Sequence, residues 1–77
     1  MPTLAIIEGF RFFFWSLDLG EPPHVHVEGH EGKAKFWLSP VELASFKGYN
    51  PRELNKIQRL VEENADSWLE VWHEHFS

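Results

Sequence analysis

The densest chemistry in the chain is the run Pro22-Pro23-His24-Val25-His26-Val27-Glu28, followed shortly by Lys33-Ala34-Lys35-Phe36-Trp37-Leu38. Side chains alternate between the two faces of a strand. His24, His26 and Glu28 therefore share one face of the first strand, and Lys33, Lys35 and Trp37 one face of the second. With Gly29-His30-Glu31-Gly32 as the loop, antiparallel pairing sets Glu28 opposite Lys33, His26 opposite Lys35 and His24 opposite Trp37. Val25, Val27, Ala34, Phe36 and Leu38 then fall together on the other face. A slip of one residue would mix the two sets. The pattern predicts a polar side of a hairpin, standing in water, with two imidazoles, two ammonium groups, a carboxylate and an indole.

Three readings fit that side. The first is contact with RNA or another phosphate-bearing ligand. Imidazoles titrate near neutrality and lysines hold phosphate or its developing charge. A His24/His26 pair beside Lys35 could cleave RNA without metal, and Trp37 could stack a base. The second is a metal site. Two His at i and i+2 lie about 6.6 Å apart along a strand, and Glu28, Asp18 or His30 could complete a two-His-one-carboxylate set. Lys33 and Lys35 oppose a cation there, so no metal ligand is assigned. The third gives the residues no role beyond clothing the wet face of a small sheet. Whether the chain is an enzyme stays open at this point.

Other candidates are weaker. Ser16 and Asp18 suit side-chain caps in a turn. His73 and His75 sit two apart on a helix, do not share a face, and complement its negative terminus. Gly29 and Gly32 belong to a hairpin and make no phosphate-cradling loop. No serine-nucleophile signature occurs.

These residues need a scaffold. Thr3–Ile7 and Phe10–Trp15 read as a hairpin turning at Glu8-Gly9, and 41–46 as a last strand. Residues 16–23 form the main loop, whose Gly20, Pro22 and Pro23 exclude helix and central strand. Asn50 is a good N-cap, Pro51 suits the first helical position, and Glu53 completes a capping box. Apolar residues follow at Leu54, Ile57, Val61, Ala65, Trp68, Trp72 and Phe76, one continuous helical stripe. The tryptophans of that stripe are expected to pack on the sheet. The expectation is an α+β fold: four to five antiparallel strands over residues 1–48 and one long helix over 50–76, bent if anywhere near 64–66.

The 77 residues make one domain, with no room for a cofactor domain and no cysteine for a disulfide or thiolate. No cofactor is expected. Aromatic residues make up 16% of the chain, which supplies buried area that a short chain otherwise lacks. The net charge of −5 argues against a wide duplex-DNA footprint. No apolar run is long enough for a membrane span and no signal peptide is evident, so a cytoplasmic protein is expected. From Glu62 to the end there are five acidic residues and no Lys or Arg. That end is a solvated face or a docking surface for a basic partner. Sheet edges also allow a homodimer.

Gly9-Phe10-Arg11-Phe12-Phe13-Phe14, Pro22-Pro23-His24-Val25-His26-Val27-Glu28, Ala34-Lys35-Phe36-Trp37-Leu38 and the tail to Trp72 and Phe76 together resemble a bacterial family, the domain-of-unknown-function 4160 family. The double-Pro, His-x-His stretch is the most specific part. The resemblance implies a small stand-alone protein, often encoded beside a second small family, number 2442, and hence a toxin–antitoxin-like two-gene module. It points to His24 and His26, with Pro22 and Pro23 in support. Many members carry a further acidic or His residue just before the double Pro. Here that stretch is Asp18-Leu19-Gly20-Glu21, with no third His.

Overall fold

A computed structural model of the chain describes residues 3–15 and 20–76. Its helix begins as the local chemistry requires. The Asn50 side-chain oxygen accepts the Glu53 N–H at 2.8 Å, and the Glu53 carboxylate accepts the Asn50 N–H at 3.0 Å. This reciprocal pair satisfies donors that the helix itself leaves open. From there α1 runs unbroken over Pro51–Phe76. Asn64 does not interrupt it; its side-chain amide N–H donates to the Leu60 carbonyl at 2.8 Å, one turn back.

The strands are β1 (Thr3–Ile7), β2 (Phe10–Phe13), β3 (His24–Gly29), β4 (Gly32–Leu38) and β5 (Val41–Lys47). They form one antiparallel sheet in the order β1-β2-β3-β4-β5. Two of its turns have only two residues, Glu8-Gly9 and His30-Glu31, all at positive φ (51°, 86°, 50° and 66°). That backbone matches the twist of the flanking strands. The β3–β4 loop is therefore tighter than the sequence suggests. Gly29 and Gly32 pair as a last rung of the ladder. Gly32 serves a close approach: a Cβ there would come within 2.5 Å of the Tyr49 ring. The Tyr49 hydroxyl crosses to donate to the Gly29 carbonyl at 2.9 Å.

The core lies between one face of the sheet and the helix. Phe10, Phe12 and Phe14, Val25 and Val27, and Ala34, Phe36 and Leu38 meet Ile57, Leu60, Val61, Ala65, Trp68 and Trp72. Trp68 packs on Phe12 with ring centroids 5.0 Å apart, and Trp72 meets Phe14 edge-on at 5.1 Å. The helical aromatic stripe is thus core, as its spacing implied. Burying one such ring contributes about 2–3 kcal/mol. No helix among the described residues is long and apolar enough to cross a membrane.

Candidate functional site

The register of β3 on β4 is the one read from the sequence: His24 opposite Trp37, His26 opposite Lys35, Glu28 opposite Lys33. The neighbouring strands extend each row. Arg11 lies opposite Glu28 and Phe13 opposite His26 on β2. Lys47 lies opposite Lys33, Ser45 opposite Lys35 and Glu42 opposite Trp37 on β5. Three rows therefore cross the sheet face turned away from the core.

Two of the four cations on this face are neutralised. Arg11 donates to the Glu28 carboxylate at 2.7 Å and lies over the Phe13 ring at 4.3 Å. Lys35 donates to Glu21 at 2.6 Å, and its Nζ sits 4.6 Å from the Trp37 ring centre. Lys33 and Lys47 are different. They are exposed cross-strand partners, and neither forms an ion pair among the described residues. A shallow hollow of about 250 Å³ opens beside them, lined by His26, Lys33, Lys35, Ser45, Phe46 and Lys47 among others.

The two imidazoles part company. His26 is half-buried and stacks on Phe13 and on Trp15, with centroids 5.6 and 4.8 Å away. Trp15 is itself 54% exposed. His24 is not in water as the alternation implied; its exposure is 0%. The cause is its place as the first residue of β3, where its ring meets Trp37, His26 and the Trp72 indole of α1 at 5.6, 5.0 and 5.2 Å. Strand alternation assigns a face but not what covers the strand end. The Nδ1–H of His24 donates to the Pro22 carbonyl at 3.0 Å, and the Glu21 carboxylate lies 3.7 Å from the same nitrogen. Leu38 N–H donates to the Pro23 carbonyl at 3.0 Å, which ties the double proline to β4. The stiff dipeptide thus orients the ring.

Ser16 and Asp18 lie outside the described residues. His30 turns away to the other end of the sheet, where its Nε2–H donates to the Glu8 carbonyl at 2.9 Å and its ring packs on Phe10 at 4.5 Å. Among the described residues no three His, Asp or Glu side chains gather where they could share one ion. Arg11, Phe13, Trp15, Glu21 and Lys47 were not picked out by sequence reasoning. Alternation along Arg11-Phe12-Phe13-Phe14-Trp15 carried the signal for three of them.

A family model for a domain of unknown function, DUF4160, matches residues 9–73. The chain belongs to this family. The DUF4160 match runs from the β1–β2 turn to near the end of α1 and so contains every row of the open face. No curated protein and no solved structure matches the chain.

Proposed function

We propose that the open face of the sheet binds RNA or another phosphate-bearing ligand, with Lys33 and Lys47 as the anchor. The observation that carries this reading is their pairing. Two like charges directly opposite each other on adjacent strands destabilise a sheet, and an anion between them turns that cost into an attraction. Single-stranded RNA makes use of the most groups. Its phosphates suit Lys33 and Lys47, and a base suits exposed Trp15 beside His26. In this reading His26 and Trp37 line the ligand side. Glu28 holds Arg11, and His24 is a positioning residue that fixes the start of β3.

Titration of the ¹⁵N-labelled protein with a short single-stranded RNA, followed by NMR, tests this directly. The expected shifts cluster at His26, Lys33, Lys47 and Trp15. Shifts confined to α1, or none, would overturn the reading.

A second reading is a protein-docking role, within a toxin–antitoxin-like two-gene module of the kind the family resemblance implies. The observation favouring it is that Glu62, Glu63, Asp66, Glu70 and Glu74 are all exposed on α1. A docking partner would be basic. Charge reversal at Glu70 and Glu74 should weaken binding to the product of the adjoining gene; unchanged affinity excludes that surface.

A further inference from the structure

Strand β5 is one of the two edges of the sheet, and its outer side pairs with no strand among the described residues. From Glu42 to Lys47 every residue is exposed, including Leu43 at 37% and Phe46 at 52%. An uncovered edge of this length with two large apolar side chains is a feature that natural sheets normally shield.

The bulge in β5 determines which strand fits that edge. Lys35 pairs with Ser45 but Phe36 pairs with Leu43, so Ala44 is the extra residue. Glu42, Ser45 and Lys47 consequently have register partners on the open face, whereas Leu43 and Phe46 have partners on the core face, Phe36 and Ala34. Across a twofold axis, an antiparallel strand must meet itself with same-face residues opposite each other. One alignment of β5 on itself sets Glu42 opposite Lys47, Leu43 opposite Phe46 and Ala44 opposite Ser45, each contact occurring twice. Two ion pairs and two apolar pairs then match face to face. A slip of one residue in either direction sets Leu43 opposite a residue of the open face and breaks both kinds of contact.

We infer that β5 pairs with β5 of a second copy of this chain in that register, joining two five-stranded sheets into one. The occupant is a second copy because the complementarity is internal to the strand, with its acid near one end and its base at the other. The bulge acts here as a register pin rather than only as a guard against open-ended pairing. The twofold axis passes between Ala44 and Ser45, so the basic hollows of the two copies share one continuous face on either side of the seam. The seam shares Lys47 with the phosphate reading, and sedimentation in the absence of RNA tests the seam apart from what the hollows bind.

Sedimentation equilibrium on the full chain tests it, since each chain is 9.1 kDa. The wild type is expected at twice that mass. Either Glu42→Lys or Lys47→Glu alone sets like charges together twice and should raise the dissociation constant about 10- to 100-fold. Both side chains are exposed, so the fold should tolerate the changes, and circular dichroism checks each variant. Combining the two changes in one chain should restore the dimer, and an equimolar mixture of the two single variants should form a mixed dimer. A wild type that stays monomeric up to about 1 mM, the weak limit of specific association, overturns the inference. So does a Glu42→Lys chain that dimerises like the wild type.

Discussion

Lys33 and Lys47 face each other directly across β4 and β5, two ammonium groups whose nearest ladder neighbour, Glu28, is engaged by Arg11. The arrangement is unfavourable for the protein alone and favourable around an anion. In a chain with a net charge of −5 it is a local feature, not a general attraction to polyanions. A protein with this pair should therefore gain stability from a ligand that fits it. Thermal unfolding in increasing single-stranded RNA should show a rising midpoint. That rise should shrink in Lys33→Gln, while Lys33→Gln without RNA should be no less stable than the wild type.

His24 and His26 should separate in their effects. His24 is enclosed by aromatic rings, so His24→Ala leaves a cavity and should cost about 2–4 kcal/mol of stability. His26→Ala, at a half-buried surface position, should cost about 1 kcal/mol or less and act mainly on RNA affinity. Denaturant titrations paired with RNA-binding curves check this. Equal losses of stability would contradict the division of roles.

Much of this was legible in the sequence, and what was not has physical causes. The β3–β4 register could be read because one loop choice sorted the polar residues from Val25, Val27, Ala34, Phe36 and Leu38. The Asn50–Glu53 box marked the helix start. Lys47 was not legible. An unbulged hairpin turning at Ser39-Pro40 would set Phe46 opposite Lys33, and only the extra residue Ala44 brings Lys47 there. The β2 row was hidden because ten residues separate β2 from β3, and a loop that long fixes no register. The burial of His24 depends on Trp72, far along the chain, which no strand pattern reveals.

Trp15 should act as a stacking platform. Trp15→Ala should weaken single-stranded RNA binding by about 1–3 kcal/mol, the usual worth of one base on an aromatic ring. Its indole lies 54% exposed, so global stability should change little. Fluorescence anisotropy with a labelled oligonucleotide measures the loss. Unaltered affinity would place the base elsewhere.

Tyr49 offers a clean readout of the fold, being the single tyrosine. Burial, with help from Glu53 and Glu28, pushes its hydroxyl above the ordinary value of 10.0. The folded state thus holds the proton more tightly than the unfolded chain. The resulting stability is fully present below pH 10.0 and is lost as pH rises from there through the folded value. Ultraviolet titration should find a midpoint above 10.0 that returns to that value in denaturant. Tyr49→Phe should remove the high-pH loss while costing about 1 kcal/mol for the hydrogen bond to Gly29.

The most direct test of the central claim is the salt dependence of binding to a single-stranded RNA, compared between wild type and Lys33→Gln/Lys47→Gln. Each phosphate contact on a single strand contributes about 0.7 to the slope of log affinity against log salt, so the double variant should lose about 1.4 from that slope and bind more weakly. A wild type that does not bind, or a double variant with the wild-type slope and affinity, would contradict the assignment of this face to phosphate.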